Sequence, residues 1–151
     1  MHGAPKSMNQ VFLVGIDCSE CSQRAVDHAA AMAKANKARL VVVHVIEWSP
    51  FSFNTAMENE VRHQRREAEL AQAHAEIVDP VVSGLRAQGI DAQGLIRHGH
   101  PAETLNQLAS EVGATGIIVG RKGASRIKTH LFGSVPSMLV QIAEQPVTVV
   151  P

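Results

Sequence analysis

The residues best suited to chemistry lie in one stretch of this 151-residue chain, Gly120 to Ser134, where Gly120, Gly123, Gly133 and Ser134 are spaced G-x2-G-x9-G-S. Glycines let the backbone approach an anion closely and take positive-φ conformations that expose consecutive N–H groups. The Gly133-Ser134 pair stands just before a segment of helical periodicity, so free N–H groups, the positive end of the helix dipole and the Ser134 hydroxyl converge where a phosphate would sit. Arg121, Lys122, Arg126 and Lys128, with His130 beside them, supply positive charge, and no Asp or Glu occurs between Val112 and Ala143. The chemistry described by this pattern is the cradling of a polyphosphate. It is not a Walker A motif, because G-K-[ST] is missing, and no glycine cluster of the G-x-G-x-x-G type follows the first apolar run.

Other residues invite a chemical reading and favour a plainer one. Cys18-Ser-Glu-Cys21 is a C-x-x-C at a strand-to-helix junction, a place where redox pairs occur. The carboxylates of Asp17 and Glu20 oppose the effect of the helix terminus there, and a zinc site would need two further ligands. His98 and His100 flank Gly99, and such histidines beside loops are more often hydrogen-bonded or solvated than metal-bound. His44, in the middle of an apolar run, reads as a satisfied core histidine near the ligand. The mixed charges from Arg62 to Glu69 read as a solvated helix face.

Positioning the glycine-rich loop requires a scaffold, and periodicity supplies one. Val11 to Ile16 is a continuous apolar run, as a strand buried on both faces requires. Ser19 can cap a helix reaching about Asn36 that buries Ala25, Val26, Ala29, Met32 and Ala33. Leu40 to Ile46 is a second strand, and Glu47 to Thr55 a loop. A helical pattern from about Ala56 to Gln88 places Leu70, His74, Ile77, Val81 and Leu85 on one face, with Gly89 as its stop. Pro80 lies inside it and predicts a kink or a split near Asp79. Asp91 to His98 is the weakest strand signal, lowered further by Gly94. Pro101 starts a helix that Gly113 ends, Thr115 to Gly120 is a strand, and Val135, Met138, Leu139 and Ile142 form the apolar face of a last helix. Val147 to Val150 is a short terminal strand. The connection from Arg121 to Phe132 is about a dozen residues long, against two to six for most such loops.

The alternating pattern gives an α/β fold in one domain with its core at about residues 9 to 151. Fourteen Lys and Arg balance fourteen Asp and Glu, which argues against membrane surfaces or extended nucleic acid as partners. With five aromatic side chains and no Tyr, stacking platforms for single-stranded nucleic acid have little material. The balance is uneven: Val112 to Ala143 holds four cations and no carboxylate, so the remaining ten cations face all fourteen acids. That concentration suits one compact polyanion. No secretory signal or membrane-length apolar stretch is visible and there are only two cysteines, so a soluble cytoplasmic protein is expected.

The chain resembles an ATP-binding universal stress protein over essentially its whole length. The resemblance rests on Gly15-Ile16-Asp17-Cys18-Ser19-Glu20 at the end of the first strand, Val43-His44-Val45 in the second, the Gly99-His100-Pro101 start of a helix, the G-x2-G-x9-G-S loop, and the closing Pro146-Val147-Thr148-Val149-Val150. It implies a Rossmann-like fold of the adenine nucleotide alpha hydrolase kind, a five-stranded parallel sheet in the order 3-2-1-4-5 with helices on both faces. It further implies that Asp17 lies near the ribose or adenine, that the Val45 backbone meets adenine, and that Gly120, Gly123, Gly133, Ser134 and Val135 contact phosphates bridged by Mg2+. Arg121 and Lys122 replace the small residue and the Arg or His common between the first two glycines of the family, enriching the positive charge. The family also implies a homodimer through Val147 to Val150, and so apolar an edge strand would be an aggregation hazard if unpaired.

Three functions follow as expectations. The first is a stress-response or signalling module that binds ATP, AMP or ADP and hydrolyses it slowly or not at all, since the loop segment offers no general base. The second is a slow ATPase or a phosphotransferase that phosphorylates itself on Ser125, Thr129 or Ser134. The third is a nucleotide-free module that grips RNA or an acidic partner.

Overall fold

Two periodicities, continuous apolar runs and amphipathic stretches, resolve into strands and helices in chain order. In the computed structural model, which describes residues 9–47, 56–122 and 133–151, strand β1 (Val11–Ile16) leads into α1 (Glu20–Asn36) and β2 (Arg39–Glu47). Helix α2 (Ala56–Ala73), a π-helical turn (His74–Val78) and α3 (Asp79–Ala87) run on to β3 (Ala92–Gly99) and α4 (Pro101–Glu111). The chain closes with β4 (Gly116–Gly120), α5 (Ser134–Ile142) and β5 (Val147–Val150). All strand pairs are parallel, in the order β3-β2-β1-β4-β5, the order implied by the family resemblance. The winding reverses between β1 and β4, and crevices for ligands open at the carboxyl ends of strands where such a reversal occurs. No helix among the described residues is long and apolar enough to cross a membrane.

Each central strand buries both faces, which is why its sequence is apolar without alternation. Phe12, Val14, Ile16, Leu40, Val42 and Ile118 pack toward α1, the π-turn and α3. Leu13, Val41, Val43, Ile117 and Val119 pack on the opposite face toward α4 and α5.

Helix α1 begins as its sequence predicts. The Ser19 Oγ accepts the Ser22 N–H at 3.0 Å, an N-cap worth about 1 kcal/mol. Ala25, Ala29 and Ala33 on its inner face let it lie close to the sheet. It ends at Lys37 in the left-handed conformation, φ 51°, while the Ala38 N–H reaches back to the Ala33 carbonyl at 2.9 Å.

The expected disruption at Pro80 takes a different form. The helix does not split; it widens, and the Asp79 N–H bonds the His74 carbonyl five residues back. The wider turn moves backbone out of the way of a proline that has no N–H and would clash with a carbonyl four residues earlier. The extra residue per turn also shifts the apolar face. From the turn onward Val78, Val82 and Leu85 are buried, whereas Ile77 and Val81 are only partly so. Gly94, which weakened the strand signal for β3, is explained by the same turn: a Cβ there would overlap Val78 Cγ1 and lie 3.2 Å from Val82 Cγ2. The strand lacks a side chain because a helix occupies its place.

The apolar face expected for α5 needs correction. Met138 and Ile142 are each 38% exposed, whereas Leu139 is fully buried and Pro136 is buried beside it. Val135 and Leu139 pack on the core as expected, but Ala143 and the buried Pro136 take the places of Met138 and Ile142. Positions 136, 139 and 143 repeat the i, i+3, i+7 spacing of 135, 138 and 142, so periodicity alone does not choose between the two faces, and α5 lies against α4.

Candidate functional site

The carboxyl ends of β1 and β4 lie side by side, because Phe12 to Val14 pair with Gly116 to Ile118. At the end of β1 the chain turns sharply into α1 through a closed set of short hydrogen bonds. Asp17 Oδ1 accepts the Ser19 N–H at 3.0 Å, and Ser22 Oγ accepts the Asp17 N–H at 3.1 Å. Cys18 between them has φ 67°, the left-handed conformation that reverses the chain. Asp17 is half-buried at this turn.

Gly120 ends β4 directly against the start of α1. A Cβ at Gly120 would stand 2.7 Å from the Cys21 carbonyl carbon and 2.8 Å from Cys21 Cβ, so glycine is required by the close approach of two backbones. Across the same gap the Ser19 hydroxyl donates to the Lys122 carbonyl at 3.4 Å. Arg121 is tied on both sides. Its N–H donates to the Val150 carbonyl and its carbonyl accepts the Gly133 N–H, each at 2.7 Å. The second bond brings the end of β4 to the start of α5, so both ends of the long connection meet at one place.

Gly133 is the N-cap of α5, and no side chain among the described residues caps this helix start. Ser134 and Val135 hold the first two helical positions and the third is Pro136, which has no N–H. The unsatisfied donors of this first turn are therefore the Ser134 and Val135 amides, with the Ser134 hydroxyl beside them. No acidic side chain lies in that turn. Arg121 Nε is buried without a hydrogen-bond partner among the described residues, a costly state for a charged donor unless an anion sits nearby. Open amides, an orphaned guanidinium nitrogen and a carboxylate-free segment fit a phosphate group.

Of the residues singled out from sequence, Asp17, Gly120, Arg121, Lys122, Gly133, Ser134 and Val135 are thus gathered around the ends of β1 and β4. Val45 lies one strand away on β2, just past His44, which is level with Ile16, and its side chain packs toward α4. Gly123, Ser125, Arg126, Lys128, Thr129 and His130 fall outside the described residues, as does the predicted loop from Glu47 to Thr55 apart from Glu47, which ends β2.

The described histidines and cysteines do not converge. His98 points to Glu69, Nε2 to Oε2 3.4 Å, while His100 is an exposed residue at the start of α4. Cys18 is exposed and lines a cleft of about 270 Å3 with Ile16, Val26, Ile77 and Val81 on the α1 and α3 side of the sheet. Cys21 is buried, against Gly120 and within 3.0 Å of an Arg24 guanidinium nitrogen. No group of three or more His, Cys, Asp or Glu among the described residues could hold a metal ion. Sequence reading missed Ser22, the buried polar residue among those described, and the packing of Cys21 on Gly120. A serine three positions after an N-cap carries no distinguishing signal, and the second contact joins residues a hundred positions apart.

Comparison with known proteins adds a family. Residues 8–151 match the model of the universal stress protein family. Universal stress protein YxiE of Bacillus subtilis is 28% identical over 92% of this chain and 97% of its own. Universal stress protein Rv1996 of Mycobacterium tuberculosis is 31% identical over 95% of this chain, which spans 48% of that relative's length. Among solved structures, a universal stress protein in complex with cAMP superposes with a TM-score of 0.67 at 28% identity, covering 94% of this chain and 96% of that one. The universal stress protein of Archaeoglobus fulgidus in complex with dAMP gives 0.64 at 21% identity, covering 94% and 98%.

Proposed function

The chain belongs to the universal stress protein family, and from that premise we propose that it binds an adenine nucleotide, with ATP the best match to its loop, as a stress-response or signalling module of the cytoplasm. The observation that carries this reading is the uncapped start of α5, joined through the Gly133 to Arg121 hydrogen bond to a segment with four cations and no carboxylate. The cAMP and dAMP complexes of related proteins support adenine as the base.

In this reading Asp17 meets the ribose or adenine and the Val45 backbone meets adenine. Gly120, Gly123, Gly133, Ser134 and Val135 hold phosphate oxygens, and Arg121 and Lys122 balance their charge. Mg2+ would bridge the phosphates and keep its waters, since it is seldom held by an all-protein cage. Fast hydrolysis is not expected, because a water attacking the terminal phosphate would depend on Asp17 alone for a base. The partner in the assembly is a second copy of the chain, paired along β5.

Equilibrium titration with ATP and Mg2+ at physiological salt tests the cradle. Gly133→Val places a branched side chain among the amides of α5 and is expected to lower affinity at least tenfold with the fold intact by circular dichroism. Undiminished affinity in that variant overturns the assignment of the phosphates to this loop.

A further inference from the structure

Strand β1 runs out of ladder partners as it approaches the site. Its pairing with β4 ends at Val14, so the Asp17 N–H lies past the end of that ladder and must find its acceptor elsewhere, while the Ile16 carbonyl stands at the last pair with β2, Ile16 with His44. Two side chains reach this peptide unit. The Ile16 carbonyl lies 2.8 Å from His44 Nδ1, and the Asp17 N–H donates to Ser22 Oγ at 3.1 Å. A peptide unit is rigid and planar, and one held at its oxygen by one side chain and at its nitrogen by another cannot turn about the bonds that flank it.

We propose that His44 and Ser22 are positioning residues, a clamp on the Ile16–Asp17 peptide that sets the direction of Asp17 toward its ligand; the proposal rests on the reading that this ligand is an adenine nucleotide. Both members suit the task. A carbonyl only accepts, so Nδ1 of His44 carries the proton and the ring is held as the Nδ1–H tautomer. Ser22 is 5% exposed, and its own N–H is already taken by Ser19 Oγ, so its hydroxyl is fixed in place by the helix cap. The cap and the clamp share residues: Asp17 Oδ1 accepts the Ser19 N–H, and Ser19 caps the turn that carries Ser22. Cys18 follows in a left-handed conformation, so a rotation of the preceding peptide would swing the whole turn. His44 also neighbours Val45, which puts the clamp and the expected adenine contact on adjacent residues of one strand.

The test pairs His44→Phe, which keeps the ring volume and removes the donor, with His44→Asn, whose side-chain N–H can stand where Nδ1 stood. ATP affinity is expected to fall about fivefold in His44→Phe, as the loss of one hydrogen bond of ordinary strength would give, and to return within twofold of wild type in His44→Asn. Ser22→Ala is expected to fall by a similar factor. Two-bond 1H–15N spectra of the wild-type imidazole are expected to show the Nδ1–H tautomer. A folded His44→Phe variant that binds ATP as tightly as wild type, or an Nε2–H tautomer at His44, overturns the clamp. Wild-type protein that binds no adenine nucleotide overturns the reading of the site and the inference with it, and the wild-type titration alone tells these two failures apart.

Discussion

Lys37 closes α1 with φ 51°, a conformation in which a Cβ crowds the following carbonyl and for which glycine is preferred. Lys37→Gly is therefore expected to stabilise the protein by about 0.5–1 kcal/mol, measured as a higher urea midpoint with an unchanged slope. Gly120 is the opposite case. Its φ is ordinary, and it is glycine because the Cys21 backbone fills the space a side chain would need. At this scale the site was legible where it rests on local chemistry. Gly133 and Ser134 announce a helix start without a side-chain cap because cap and helix are contiguous in the chain. Ser19 announces its cap for the same reason. The clamp on Asp17 was only half visible: His44 stands out as a polar residue in an apolar strand, but its acceptor is 28 residues away.

Among the elements, the π-turn and β3 are a matched pair. Val78 sits where the side chain of residue 94 would be, and Val is stiff at χ1, so it cannot swing aside cheaply. Gly94→Ala is expected to cost about 1–3 kcal/mol as overpacking. In a Val78→Ala background the same change is expected to cost much less, a favourable coupling read from a double-mutant cycle of urea unfolding curves. Equal cost in both backgrounds would remove Val78 as the reason for the glycine. Strands and helices were readable from sequence because burial on both faces of a parallel sheet leaves so plain a pattern. Two features were not. Pro80 signals that the helix must yield but not how, since a kink and a wide turn both relieve the same clash. The face of α5 depends on α4, which is distant in sequence, and two candidate faces have the same spacing.

For the molecule as a whole the telling edge is β5. The Ile117 N–H bonds the Pro146 carbonyl and the Arg121 N–H bonds the Val150 carbonyl. In a parallel ladder this turns the backbone groups of Pro146, Thr148 and Val150 toward β4 and those of Val147 and Val149 outward. Val149→Pro would delete an outward N–H while leaving the bonds to β4 in place. If two copies pair along this edge, the variant is expected to shift the dimer dissociation constant at least tenfold toward monomer in sedimentation equilibrium. A monomeric wild-type protein, or a Val149→Pro dimer of unchanged strength, counts against pairing there. The strand order has a further consequence, for synthesis. Of these five strands the one made first, Val11 to Ile16, is the central one, and its neighbour on one side is not made until Gly116 to Gly120. Until then the nascent sheet of β1, β2 and β3 has an open flank of Phe12, Leu13 and Val14, and such a flank is where a half-made chain is most exposed to the wrong neighbour.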